Sequence, residues 1–159
     1  MKKLILILIV LAAITEGCKK YEDGPLFSLR SAKNRLYGNY DLTTYTVNGV
    51  DSLSLYKDSL GGYILFFYND INDVNNCLID GVRKDGLSTS LVWRWQLINK
   101  NKTLTISSSH GPDITNGTGP FGDHKLPEWE ILRLTNTEVN LKTNYNNKEY
   151  YIELIERKK

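Results

Sequence analysis

Apolar and polar residues alternate through most of this chain. In "SLVWRWQLI", Leu91, Trp93, Trp95 and Leu97 fall on one face of an extended strand, and Arg94 and Gln96 on the other. "EVNLKTNY" repeats the pattern with Val139, Leu141 and Tyr145 against Asn140, Lys142 and Asn144, and "YYIELIE" with Tyr150, Ile152 and Leu154. The period-two pattern starts at Tyr40 and predicts strands near 40–47, 63–69, 73–82, 88–98, 103–109, 128–135, 138–145 and 148–156. Turn-forming residues punctuate it at Asn48-Gly49, Asn69 to Asn72, Asp80-Gly81, Asn99 to Lys102, Asn136-Thr137 and Asn146-Asn147.

Before Tyr40 the pattern differs. "FSLRSAKNRLYG" places Leu29 and Leu36 on a helical repeat, with Ser28 as the expected N-cap and Gly38 as the stop, so a short helix is predicted there. No long helical stretch separates the strands, which argues against a parallel β-α-β sheet. Eight sequential antiparallel strands must close on themselves or split into two packed sheets, because exposed edges invite aggregation. Hairpin-by-hairpin connections favour an all-β, up-and-down barrel. An immunoglobulin-like sandwich would need long cross-sheet connections, and 109–127 is the one long connection.

The first 17 residues follow another logic. Met1 to Lys3 is positively charged, and Leu4 to Ile14 is eleven uninterrupted apolar residues. As a helix that run is roughly 17 Å long, well short of the ~30 Å of hydrocarbon that a spanning helix must cross. A removable secretion signal is the expectation. Gly17-Cys18 at its end resembles a bacterial lipobox, with Thr15 and Glu16 where the common pattern has an aliphatic and a small residue. That resemblance implies diacylglycerol on the Cys18 sulfur and cleavage just before it. With the following "CKKYEDGP", residues 1–25 are similar to the small lipoproteins of Bacteroidetes-type bacteria. The expected organisation is therefore a signal peptide (1–17), a lipidated tether and short helix (18–35) and one β domain (36–159), held in the cell envelope at the outer membrane. Acyl chains burying methylenes at about 0.8 kcal/mol each are enough for such an anchor.

"YGNYDLTTYTVNGVD" and "GGYILFFYND" after a short helix are similar to the lipocalin-like lipoproteins of the same bacteria. Gly38, Asn39 and Tyr40 stand where lipocalins carry Gly-x-Trp, with tyrosine replacing tryptophan. The resemblance implies an eight-stranded barrel with Gly38-x-Tyr40 across one end and a small, mostly apolar ligand inside. Tyr40, Tyr63, Trp93 and Trp95 are the candidate lining residues; Phe66 and Phe67 must point to opposite faces, so at most one joins them.

Composition narrows the function further. Without residues 1–17, which carry Lys2, Lys3 and Glu16, 18 basic and 17 acidic residues remain. That balance argues against nucleic acid as a partner. Two cysteines cannot build a disulfide framework, and Cys77 in "VNNCLID" reads as a small buried hydrophobe. His110, His124, Asp113 and Asp123 share the loop 107–127, but their spacing matches no metal motif, so neither metal nor cofactor is expected. Glu128 and Glu130 share one strand face and read as solvated rather than catalytic; no nucleophile motif appears, and an enzyme is not expected. The Asn-x-Thr matches at 101 and 116 are short enough to arise by chance. Against the ligand-binding expectation stands an accessory role, in which the 109–127 rim with Phe121 contacts an envelope protein.

Overall fold

A computed structural model describes residues 21, 30–54, 57, 64–69, 75–82, 86, 88–108 and 128–158. Cys18, Ser28, Tyr63 and the 109–127 connection lie outside the described residues. Helix α1 is Ala32–Leu36. Its N-cap is Ser31, three residues later than expected, because the Ser31 hydroxyl accepts the Asn34 N–H at 3.2 Å. The helix also ends earlier than Gly38: Tyr37 is already extended, and Gly38 is the first residue of a strand.

The remaining elements are strands: β1 (Gly38–Val47), a two-residue β2 (Val50–Asp51), β3 (Ile64–Asn69), β4 (Asn75–Val82), β5 (Ser88–Ile98), β6 (Thr103–Ser108), β7 (Glu128–Leu134), β8 (Glu138–Tyr145) and β9 (Lys148–Glu156). Consecutive strands pair antiparallel from β3 to β9, and β1 pairs with β3 on one side and β9 on the other. The first four residues of β1, Gly38 to Asp41, meet Phe67 to Ile64, whereas Tyr40 to Val47 meet Glu156 to Tyr150. This is an all-β antiparallel sheet.

Asparagine supplies the left-handed backbone that tight hairpins need. Asn48 and Gly49 (φ 51° and 75°) close β1 onto β2, and Asn146 and Asn147 (φ 49° and 59°) close β8 onto β9. Asn99, Lys100 and Asn101 between β5 and β6 are likewise all positive in φ. Asp80-Gly81 is not a turn. Both residues lie inside β4, where Asp80 pairs with Ile64 and Ser90, so pairing on both sides overrides the local Asp-Gly preference.

Period two also slips twice, and the slips are matched. Tyr40 and Leu42 are buried, then Tyr45, with a register shift between Leu42 and Thr44. Trp129 and Ile131 are buried, then Leu134, with a shift between Ile131 and Arg133. Each extra residue is a β-bulge that changes which parity faces the core. Asn140, expected on the polar face, is buried within a network in which it donates to Glu138, whose carboxylate accepts from Arg133.

Candidate functional site

The buried face of β1, β9, β8 and β7 is built in three cross-strand rows. Leu42, Leu154, Val139 and Leu134 form the row nearest α1; Tyr45, Ile152, Leu141 and Ile131 form the next. Val47, Tyr150 and Thr143 form the third, farthest from α1. The two bulges keep these rows in line. The first of these rows is aliphatic, the second carries one phenol and the third a phenol and a hydroxyl, while Tyr40, another buried phenol of β1, lies between the first row and α1. The Thr143 hydroxyl donates to the Glu128 carbonyl at 2.9 Å, which places Trp129 next to this last row. The Tyr45 and Tyr150 rings are tilted against each other with centroids 6.2 Å apart. Burial raises the pKa of both phenols, so both are neutral hydroxyls at physiological pH.

The α1 end is locked. Tyr40 is fully buried, and its hydroxyl donates to the Arg35 carbonyl at 2.7 Å. That carbonyl lies in the last turn of α1, where no further turn supplies a donor. Gly38 is needed beneath the same ring: a Cβ there would lie 3.1 Å from Tyr40 Cε2. Arg35 is buried as well. Its Nε and Nη2 donate to the Arg30 carbonyl at 3.2 and 3.0 Å, and its Nη1 to the Leu134 carbonyl at 2.9 Å. The guanidinium thus bolts the helix to the end of β7. Leu36 is wholly buried beside it.

Of the four sequence-predicted lining residues, Tyr40 sits in this locked end and Trp95 is buried on β5 with an edge-on contact to Tyr37 at 6.1 Å. Trp93 pairs with Cys77 and Ser108 along the sheet, its side chain outside the described set, and Tyr63 is outside it entirely. Sequence reasoning missed Tyr45, Thr143 and Tyr150, although Tyr150 was placed on the apolar face. A bulge hid Tyr45, and Thr143 carries no apolar signal.

Cys77 is a fully buried free thiol whose pKa burial pushes up. Glu128 and Glu130 are both exposed. Among the described residues no group of His, Cys, Asp and Glu could hold a metal ion, and no helix is long and apolar enough to cross a membrane. An open groove at the α1 end is lined by Gly38, Asn39, Glu156, Arg157 and Lys158; the Arg157 guanidinium there is held by Asp41 at 2.6 Å.

The register also orders the connections. β1 begins and β9 ends at the α1 end, so the 48–49 and 146–147 hairpins belong to the opposite end. β6 ends and β7 begins toward that opposite end too, which is where the 109–127 connection leaves and returns.

No protein-family model matches the chain, and no curated protein sequence matches it significantly. Solved structures do. Japanin from Rhipicephalus appendiculatus, bound to cholesterol, superposes with a TM-score of 0.53 at 11% identity, over 80% of this chain and 79% of that one. The fold is lipocalin-like. Lipocalin 12 from rat epididymis gives a TM-score of 0.52 at 13% identity, over 79% of this chain and 67% of that one. A lipocalin-like protein from Bacteroides uniformis gives 0.48 at 16% identity, over 74% and 96%. The chain spans 62% of the length of lobster apocrustacyanin A1, which it also matches.

Proposed function

We propose that this chain is a lipid-anchored envelope protein whose sheet closes, through the pairing of β1 with both β3 and β9, into an eight-stranded lipocalin-like barrel that binds a small apolar ligand. The observation that carries this reading is the apolar inner face shared by β1, β9, β8 and β7 in a lipocalin-like fold. A site of that composition holds an apolar body by burial and orients it with a few polar groups. Support comes from Japanin, a structure of this fold solved with cholesterol. The ligand would approach from the end opposite α1, since Arg35, Leu36 and Tyr40 fill the helix end. Its reading as a binder rather than an enzyme rests on the same apolar lining.

Anchoring is the second half of the proposal. Cys18 would carry the lipid and hold the domain at the outer membrane without a spanning helix. Cys18→Ala should move the protein from the membrane pellet to the soluble fraction with its far-ultraviolet dichroism unchanged; a variant that stays in the pellet refutes the anchor. For the binding half, the full chain is purified from its own envelope and analysed by native mass spectrometry, then denatured to release what it carries. A stoichiometric apolar companion supports the reading. An empty chain that brings down one envelope protein would refute it in favour of an accessory role for the 109–127 rim.

A further inference from the structure

We infer that the α1 end of the domain lies on the membrane that holds Cys18, with a basic face against anionic lipid headgroups, so that the opposite end points away from that membrane. This orientation rests on the lipid-anchor reading above and adds which face meets the bilayer. It starts from Tyr21, which is 3% exposed and packed into the apolar core. Burial raises the pKa of its phenol and the Arg35 charge opposes the rise, which sets the ring near Arg35. Cys18 is three residues earlier, and three residues in any conformation reach at most about 11 Å. A lipid on Cys18 therefore holds the bilayer on a short leash to the α1 end. The 48–49 hairpin is at the other end of β1, whose ten residues extend about 30 Å. An 11 Å leash cannot turn that end to face the surface, although it permits the domain to lie on its side.

Charge selects the end over the side. Arg30 and Lys33 flank the start of α1, and Arg157 and Lys158 follow β9. Lys100 and Lys102 join them: Gly38 pairs with Phe67, and the antiparallel succession of β3, β4 and β5 brings the end of β5 to the same end, where Trp95 meets Tyr37. All of these cations except the half-buried Lys33 are exposed. The acids among them are Asp41, which holds Arg157, and Glu156, while Arg133 and Glu138 cancel as an ion pair at 2.7 Å. Asp70 and Asp73, in the β3–β4 connection outside the described residues, still leave the cations in excess. The opposite end has the reverse balance: among the described residues Lys57 and Lys148 stand with Asp51, Glu128 and Glu149, and its connections add more acids than bases. An anionic headgroup layer attracts such a cluster within a screening length of ~8 Å, and a leash of this reach keeps the cluster close to that layer. The 109–127 connection and the mouth proposed for the ligand then face the aqueous side.

The test reads the orientation directly. The full lipidated chain, carrying Asn34→Cys on α1 or Val50→Cys in the far hairpin, is labelled with a fluorophore; Cys77 is buried, and the Cys18 sulfur carries the lipid. It is placed in phosphatidylcholine vesicles containing about one-third phosphatidylglycerol and a quencher on the headgroups. The expected result is quenching at position 34 at least roughly threefold that at position 50, falling by about half or more in roughly 1 M NaCl, where the screening length is ~3 Å. Lys100→Glu, Lys102→Glu and Lys158→Glu combined, checked for folding by dichroism, should produce the same fall while the acyl chains keep the protein on the vesicles. Equal quenching at the two positions, stronger quenching at position 50, or quenching at position 34 that neither salt nor charge reversal changes overturns the inference and leaves the anchor standing. A chain without lipid on Cys18, or one that does not stay with the vesicles, overturns the anchor reading and this orientation with it.

Discussion

Tyr40→Phe isolates the bond that locks the α1 end. The ring is unchanged, so no cavity forms; the loss is the hydroxyl that donates to the Arg35 carbonyl at 2.7 Å. Both groups are buried, and that carbonyl belongs to the last turn of α1, so it is left without its donor. A net hydrogen bond is worth about 1 kcal/mol, and a stranded buried acceptor costs about 1–3 kcal/mol, which sets the expected destabilisation at about 1–3 kcal/mol. For a chain of 159 residues this lowers the thermal midpoint by roughly 3–10 °C. Gly38→Ala attacks the same contact from below, because the added Cβ meets Tyr40 Cε2 at 3.1 Å and the hydroxyl oxygen at 3.3 Å. The ring must shift by a few tenths of an ångström, which pulls the hydroxyl off its acceptor; overpacking of this kind costs about 1–3 kcal/mol. Since both changes break one bond, Gly38→Ala should cost less in the Tyr40→Phe background than in the wild type. Urea denaturation of the four proteins, followed by tryptophan fluorescence, measures that coupling. A Tyr40→Phe protein within about 0.5 kcal/mol of wild type, or a strictly additive double variant, would refute the argument.

Three further outcomes follow from buried polar groups. Arg35→Met strands the Arg30 and Leu134 carbonyls and should cost about 2–4 kcal/mol in denaturant titration; Arg35→Lys should fail to restore it, because one ammonium cannot serve both carbonyls as the guanidinium fork does. Cys77, fully buried with its thiol pKa pushed up, should resist aromatic disulfide reagents at pH 8 until denaturant is added; rapid labelling of the native protein would contradict its burial. Stability should be level up to about pH 9 and decline above it. Cys77, Tyr40 and Tyr45 all have folded pKa values above their ordinary 9.0 and 10.0, so the unfolded chain ionises first and each group then removes about 1.4 kcal/mol per pH unit. Tyr45→Phe should make that decline shallower in thermal melts taken between pH 8 and 11, and an unchanged slope would show that the phenol is not withheld from ionisation.

Alternation and turn chemistry together are local properties, and they were legible. The strands expected over 88–98, 138–145 and 148–156 are β5, β8 and β9, because a strand with one buried face must place apolar residues at every second position. Asn48-Gly49 and Asn146-Asn147 were readable as turns because few residues tolerate positive φ. Asp80-Gly81 was misleading for the converse reason: a dipeptide preference of this kind is weak beside pairing on both sides of a central strand.

What the sequence by itself determined is thus the period, the place of most strands, the polarity of their faces and the greasy N-terminal run ending at Cys18, all of which depend on residues near each other in the chain. Only the tertiary structure decided that β1 meets β9 across more than a hundred residues, that paired bulges in β1 and β7 bring Tyr45 and Leu134 to the buried side, and that Arg35 reaches Leu134. A bulge leaves no composition signature, and a guanidinium that donates to main-chain carbonyls has partners that any residue could supply, so neither is written in the pattern of side chains.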